Sequence, residues 1–495
     1  MTAVEPKPAE VRETFDSLDP ATDEVVGTYP VHTAEDVQAA VATAREAAAW
    51  WADLGFEGRA ERLRRWNGLI THRMTQLCDV VTAETGKPAG DAQLEVVLAV
   101  EHIHWAARNA RKVLGRKHRP AGLLLSNHTA SVEYQPMGVI GVIGPWNYPV
   151  YTPLGSITYA LAAGNAVVFK PSEYTPGVGR WLADAFAEVV PEYPVFQLVT
   201  GFGATGAALV GAGVDKIAFT GSTATGKKIM ATAAETLTPV VIEAGGKDPL
   251  IVDADADLDA AADAAVWGAF SNSGQTCIGI ERVYVHEQVY DTFVDKVVAL
   301  TRRVRPGEQY GPMTMPAQLD VVRGHIADAL ARGGRALTGG ADAVGDRFVE
   351  PTVLVDVPED SAAVREETFG PTMTIAKVRD MDEAIDKANA TDYGLGSTVF
   401  SRRNAARLVQ RLKAGMISVN APFSFAGTAA LPFGGVGDSG FGRIHGPEGL
   451  REFARPKAVA RQRFAVPIKL TTFGRTEKTD ALVRKLVTGL YGRRR

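Results

Sequence analysis

Apolar residues in the first quarter of the chain recur at helical spacing. The run EDVQAAVATAREAAAWW from Glu35 to Trp51 predicts an amphipathic helix. A second run from Arg59 to Thr85 predicts one long helix, closed by Gly86 and Pro88 as stop signals. A third helix is expected from about residue 91 to residue 114. Past residue 138 the period shortens, and the β-branched runs NAVVF, VFQLV, KIAFT and PVVIE alternate with the helical segments VGRWLADAFAEVV and TGKKIMATAAE. That alternation predicts parallel βαβ units, which bind ligands at the carboxyl ends of their strands. A second alternating region spans 246–440, so the fold class expected is α/β, with two α/β domains facing a cleft.

Composition narrows the function classes. With 495 residues, 46% hydrophobic and 22% charged, the chain has room for two or three domains. A net charge of -4 gives no electrostatic footprint for a nucleic-acid partner. The longest apolar stretch, Val139 to Phe169, is interrupted by Pro145, Asn147, Pro149 and Pro153, so no membrane span is expected. Two cysteines cannot form a disulfide framework, and MTAVEPKPAE lacks the basic-then-apolar order of a secretory leader, so the expected location is cytoplasmic. The nine histidines are scattered, with His102 and His104 on different sides of a helix; no metal site is expected.

The two cysteines differ in setting. Cys78 lies among apolar neighbours in LCDVV and reads as a packing thiol, whereas Cys277 lies in FSNSGQTCIGIER among small and polar residues, where a thiol is reachable for attack. Two literal G-x-G-x-x-G matches occur. The one at Gly435 follows no clear strand and reads as a glycine-rich loop, and the one at Gly201 follows a strand but lacks the acid expected about 20 residues on. FTGSTATGK is the better phosphate site: a strand runs through Gly221 and Ser222 into a helix whose free N–H groups face outward. A capped helix start without a ligand fits the same residues equally well.

The segments GPWNYP, AAGNAVVFKPSEYTP, FTGSTATGK, IEAGGKDP, the cysteine segment, EETFGP and LPFGGVGDSGFGR, in this order over roughly 300 residues, resemble the aldehyde dehydrogenase superfamily. The resemblance implies a Rossmann-type cofactor domain from 1–120 and 138–245, a catalytic domain over 246–440, a small β-arm for oligomerisation at 121–137 and 457–466, and a tail at 467–495. It implies NAD as cofactor, with NADP use open, and a homodimer or homotetramer. Cys277 would be the nucleophile, Asn147 an oxyanion donor and Glu243 the base that activates water. Trp146, Lys170, Ser172, Glu173, Gly203, Gly221, Ser222, Thr225, Glu367 and Phe369 would hold the cofactor. Tyr148, Tyr151, Ile278, Phe433, and further out Phe423 and Phe425, would line the aldehyde tunnel.

That wall suits a broad aliphatic or aromatic aldehyde. Segments such as CIGIERVYV and HGPEGLREF are instead similar to actinobacterial-type succinate-semialdehyde dehydrogenases, and a non-catalytic binding protein of the same fold is the third reading. Glu243 argues against a CoA-acylating enzyme. Two departures stand out: Ala244 and Asp248 replace the more usual Leu and Asn, and Ile444 with His445 follows Gly442-Arg443 where many relatives carry a glutamate. The tail carries Lys469, Arg475, Lys478, Arg484, Lys485 and Arg493 to Arg495, with Leu482, Leu486 and Leu490 at four-residue spacing. Membrane-surface contact is one reading of it, and a solvated or subunit-packing tail the favoured one.

Overall fold

The computed structural model describes residues 13–466 and 471–492. The tail residues Lys469 and Arg493 to Arg495 lie outside them. By internal contacts the chain divides into two compact units, one running to Leu114 and over Pro136–Arg455, the other comprising Gly115–Gln135 and the residues from Pro456 onward.

The first unit opens with a two-stranded antiparallel ribbon, Thr14–Leu18 with Val25–Pro30, followed by helices. Ala34–Asp53 starts at a capping box in which Thr33 and Asp36 satisfy each other's backbone N–H groups. The single long helix expected from Arg59 to Thr85 is instead two, Gly55–His72 and Met74–Thr85, broken at Arg73. No Gly or Pro marks the break. Arg73 leaves helical geometry at φ -106° and ψ 24°, and its guanidinium forms a fork with Glu188 at 2.7 and 2.9 Å. The third helix is Ala89–Leu114.

Two sheets follow. The first has six strands in the order Gly440–Phe441, Val240–Ala244, Lys216–Gly221, Val139–Ile143, Ala166–Lys170 and Phe196–Leu198. All neighbours are parallel except the short edge strand Gly440–Phe441, which pairs antiparallel to Val240–Ala244. Strand order reverses on either side of Val139–Ile143, the position where open α/β sheets form a ligand crevice. The helix Tyr151–Ala163 behind this strand is buried at every residue, as its almost wholly apolar sequence requires.

The second sheet has seven strands, in the order Arg335–Thr338, Thr352–Val355, Thr372–Val378, Ile280–His286, Asp248–Val252, Gly396–Phe400 and Met416–Val419. Its central strands are buried on both faces, which explains their continuous rather than alternating apolar runs. Helix Leu258–Phe270 packs on it and delivers the chain to Cys277.

The second unit carries most of a three-stranded sheet ordered Ala454–Gln462, His128–Pro136 and Lys117–Arg119. Within it, Leu123, Leu124 and Leu125 form an exposed apolar turn. The helix Glu477–Tyr491 has no buried residue, and Leu482, Leu486 and Leu490 are all exposed. Among the described residues no helix is long and apolar enough to cross a membrane.

Candidate functional site

The carboxyl ends of the first sheet's strands carry the candidate residues. Val139–Ile143 leads into the Gly144–Pro149 turn with Trp146 and Asn147, Ala166–Lys170 ends on Lys170 itself, Lys216–Gly221 ends beside Ser222, and Val240–Ala244 contains Glu243. This convergence comes from parallel topology, not from proximity in sequence.

A cavity of about 520 Å³ lies over these ends, lined by Trp146, Lys170, Ser172, Glu173, Gly203, Gly221, Ser222 and Thr225, with apolar walls from Ile143, Val210, Phe219 and Ile229. Gly203 opens a helix, Gly203–Gly211, as the glycine-rich match suggested. Ser222 caps the helix Thr223–Ala234: its oxygen accepts from the Thr225 N–H at 3.3 Å, and its hydroxyl donates to Thr225 Oγ1 at 3.0 Å. The Ser222 hydroxyl therefore serves the cap, and the free donors of this helix start are backbone N–H groups. Lys170 is buried and lies 3.4 Å from the half-exposed Glu173. A cation, a carboxylate, a helix start and apolar walls around one elongated cavity fit a dinucleotide.

A second cavity, about 420 Å³, shares Pro145, Trp146, Thr220, Gly221, Ser222 and Met315 with the first and is also lined by Asn147, Glu243, Gly245, Cys277, Glu367 and Phe369. Gly245 lets Glu367 approach closely: a Cβ added to it would stand 2.0 Å from the Glu367 carboxylate, which would have to move aside. The ring of Phe369 meets Trp146 edge-on, centroids 5.6 Å apart. A third cavity of about 300 Å³ meets the second at Cys277 and is lined by Tyr148, Tyr151, Ile278, Phe423 and Phe433, with Trp267, Leu94 and Leu98. Cys277 thus stands where two cavities join.

One expectation changes. Phe425 does not line the tunnel; it is buried behind it, its ring 6.4 Å from Phe433. His445 is also behind the wall, its ring tilted against His102 with centroids 3.8 Å apart and close to the rings of Tyr151 and Phe433. Burial, and then His102, hold its pKa well below the ordinary histidine value, so the ring is neutral. It is not placed to relay protons to Cys277.

The electrostatics of the second cavity are set by burial. Glu243 is buried, neither carboxylate oxygen has a hydrogen-bond partner meeting normal geometry, and its pKa is pushed up to about 7, opposed only by the nearby Cys277 thiol and Thr220 hydroxyl. Burial, and then the Glu243 charge, raise the half-buried Cys277 well above a normal thiol, so it is neutral in this state. Glu367 rises to about 8 through burial and the neighbouring Glu281. Asp248, one of the departures, is buried beside Gly396 and rises to about 8.

Sequence reasoning missed the groups that hold this site. Lys87 and Glu95 are a fully buried ion pair, 2.7 Å apart. Lys87 Nζ donates to the Asn147 carbonyl at 2.8 Å, and Glu95 Oε1 accepts from the N–H groups of Val150 and Tyr151 at 2.7 and 3.0 Å. The Asn147 side-chain amide donates one hydrogen to the Gln275 carbonyl at 3.0 Å, which leaves its second donor for the cavity. Gln275 in turn fixes the turn before Cys277, accepting from Thr314 N–H at 2.8 Å and donating to the Asn272 carbonyl at 3.0 Å. Lys87 lies in the Gly86–Pro88 connection and Glu95 on the helix Ala89–Leu114, and nothing in the local sequence marks them as partners. Among the described residues no group of three or more His, Cys, Asp or Glu could hold a metal ion.

Comparison with known proteins agrees with this geometry. A model described as the aldehyde dehydrogenase family matches residues 7–459. A protein of Mycobacterium ulcerans with the provisional name succinate-semialdehyde dehydrogenase (NADP+) 2 is 39% identical over 447 residues, which cover 88% of this chain and 86% of that protein. A protein of Mycobacterium tuberculosis with the same name is 39% identical over 448 residues, with the same coverage. Among solved structures, an NAD-dependent aldehyde dehydrogenase from Sinorhizobium meliloti superposes with a TM-score of 0.88 at 34% identity, covering 93% of each chain. The lactaldehyde dehydrogenase of Escherichia coli gives 0.87 at 33% identity, covering 91% of this chain and 96% of that one.

Proposed function

Because this chain belongs to the aldehyde dehydrogenase family, and so catalyses NAD(P)-dependent oxidation of an aldehyde, we propose that Cys277, Asn147 and Glu243 carry the reaction. The observation behind this reading is that all three line one cavity, and that the cavity joins the apolar tunnel at Cys277.

The thiol is neutral at rest and must lose its proton before it attacks. Glu243, with a pKa of about 7 and no competing partner, is the acceptor at hand. The thiolate adds to the aldehyde carbon, and the resulting oxyanion meets the free Asn147 amide hydrogen and the Cys277 N–H. When bound, NAD(P)+ supplies the hydride acceptor. The carbon is then a thioester on Cys277. Glu243, having passed the thiol's proton to solvent, takes a proton from water as the water oxygen attacks the thioester; the C–S bond then breaks, the acid leaves, and the Cys277 thiolate regains its proton from Glu243.

Glu367 and Phe369 would meet the nicotinamide ribose and ring, with Lys170, Ser172 and Glu173 at the adenosine ribose. Glu173 is held at only 3.4 Å by both Lys170 and the Ser172 hydroxyl, so it can turn aside for a 2′-phosphate. We therefore infer that NAD is used and NADP accepted, and kcat/KM for each tests this.

The tunnel supports a neutral aliphatic or aromatic aldehyde. Its one lining cation, Lys87, is tied to Glu95, and its other charged groups are the carboxylates of Asp91 and Glu95. Succinate semialdehyde, suggested by the relatives' names, would bring a carboxylate into this field. Reduced-cofactor formation with hexanal, benzaldehyde and succinate semialdehyde, with Cys277→Ala as control, separates the readings. The exposed leucines of the second unit support a homo-oligomer, dimer or tetramer, which sedimentation equilibrium tests.

A further inference from the structure

A second buried lysine–glutamate pair lies on the cofactor side of Cys277. Three neighbouring parallel strands of the seven-stranded sheet begin side by side: Asp248–Val252, Ile280–His286 and Thr372–Val378. Lys247 immediately precedes the first, Glu281 lies at the start of the second, and the loop Glu366–Pro371 leads into the third. Their side chains interlock. Lys247 and Glu281, with side chains 0% and 5% exposed, form an ion pair. Glu281 Oε1 accepts from the N–H groups of Thr368 and Phe369 at 3.1 and 3.0 Å, and Oε2 accepts from Thr368 N–H at 2.9 Å. Lys247 Nζ also donates to Thr368 Oγ1 at 3.1 Å, and the N–H of Gly246 donates to Glu367 Oε1 at 2.9 Å.

This expenditure of buried charge is not explained by stability. Removing two ions from water offsets much of their attraction, and apolar replacements of buried pairs are often neutral or stabilising. What the pair does do is specify geometry. Phe369 is held at φ 52°, in the left-handed region that a phenylalanine avoids on its own, and all three backbone hydrogen bonds to Glu281 come from this residue or the one before it. One turn of loop thereby aims two groups into the cavity beside Cys277: the Glu367 carboxylate over Gly245, and the Phe369 ring against Trp146.

We propose that Lys247 and Glu281 are positioning residues for the cofactor: as a neutral, water-excluded clamp they fix Glu367 and Phe369 where the nicotinamide end binds. The proposal rests on the reading that those two residues meet the cofactor. The clamp is separate from the Lys87–Glu95 pair, which holds the Asn147 turn on the other side of the cysteine. Disturbing it should weaken nucleotide binding and leave aldehyde recognition alone.

The test is equilibrium binding of NAD+ and NADP+ to the full-length protein, followed by tryptophan fluorescence, together with the aldehyde KM. Glu281→Gln and Lys247→Met should each raise the cofactor Kd by roughly tenfold to a hundredfold, the effect seen when groups supporting a site are removed, with aldehyde KM unchanged. The double variant, which leaves no unpaired buried charge, should bind more tightly than the product of the single effects predicts. Wild-type Kd in folded single variants overturns the clamp, as does an equal rise in cofactor Kd and aldehyde KM. If the single variants do not fold, Thr368→Ala removes only the hydroxyl that meets Lys247 and should weaken binding in the same direction; no change there also overturns it. Glu367→Gln separates the two levels: weakened binding in this variant with none in Glu281→Gln removes the clamp alone, whereas unchanged binding removes the cofactor reading on which it rests.

Discussion

The backbone carbonyl of Asn147 accepts a hydrogen bond of 2.8 Å from Lys87 Nζ, whose side chain is buried. Lys87 is itself paired with Glu95, whose other oxygen takes two N–H groups just past the turn, so the loop bearing the oxyanion donor is fastened at both ends. Asn147→Ala should lower kcat by about 10²- to 10³-fold, the usual effect of losing one oxyanion donor. Lys87→Met should lower kcat too, and also reduce unfolding free energy by about 3–5 kcal/mol, because Glu95 is left buried and unpaired. Steady-state kinetics with urea titration checks both; a stable Lys87→Met enzyme with full kcat would remove the coupling.

Cys277→Ala should abolish turnover while cofactor affinity stays near that of the wild type, since the residues around the larger part of the dinucleotide lie in the first cavity, which the cysteine does not line. Residual cysteine-independent oxidation would remove the covalent route.

Glu243 ties activity to pH with a definite sign. Its folded pKa of about 7 lies above the ordinary 4.5, so the carboxylate needed as base is lost on acidification, and thioester-limited kcat should fall about tenfold per unit below that value. Stability runs the opposite way: the folded state binds the extra proton between about pH 4.5 and 7, so this group's contribution is lost as pH rises through that window. Glu243→Gln should form reduced cofactor in a slowed first turnover and then stall, with its melting temperature gaining on the wild type at about pH 8 and not at about pH 4. A variant that turns over normally, or gains nothing at the higher pH, contradicts the assignment.

The alternation of short strands and helices made the α/β class legible, and the family-like blocks made the cysteine, asparagine and glutamate legible, because they sit in or beside the turns that border strands, where chemistry-bearing side chains stand out against apolar runs. The break at Arg73 was not, since a helix that bends through a long-range pair with Glu188 carries no local stop signal. Phe425 was misplaced for a related reason. Sequence gives the side of an element, but depth behind the first layer of the tunnel is set by tertiary packing, and its ring lies one layer back. The two buried Lys–Glu pairs were invisible because a charged residue in sequence reads as surface until its partner is known.

The tunnel's charge predicts selectivity. Asp91 is half-buried in the wall, its pKa raised by burial and moderated by Lys87, and it has no hydrogen-bond or ion-pair partner among the described residues. Hexanal and benzaldehyde should therefore show lower KM than succinate semialdehyde, and Asp91→Asn should narrow the gap by lowering KM for the anionic substrate alone. A wild-type preference for succinate semialdehyde would favour the reading carried by the relatives' names.

The tail helix Glu477–Tyr491 should not act as a membrane anchor, despite its exposed Leu482, Leu486 and Leu490. Removal of residues 467–495 should leave cosedimentation with anionic vesicles unchanged; binding by the full chain that truncation abolishes would establish surface attachment.

Glu243 belongs to one sheet and Lys247 to the threshold of the other, and between them the chain has only Ala244, Gly245 and Gly246. Even fully stretched, such a span reaches at most about 14 Å. It is a short leash. However a dinucleotide enters or an acid leaves, the proposed base Glu243 stays leashed to the sheet whose strand Ile280–His286 begins just past Cys277, so acid and thiol are kept neighbours by the chain itself.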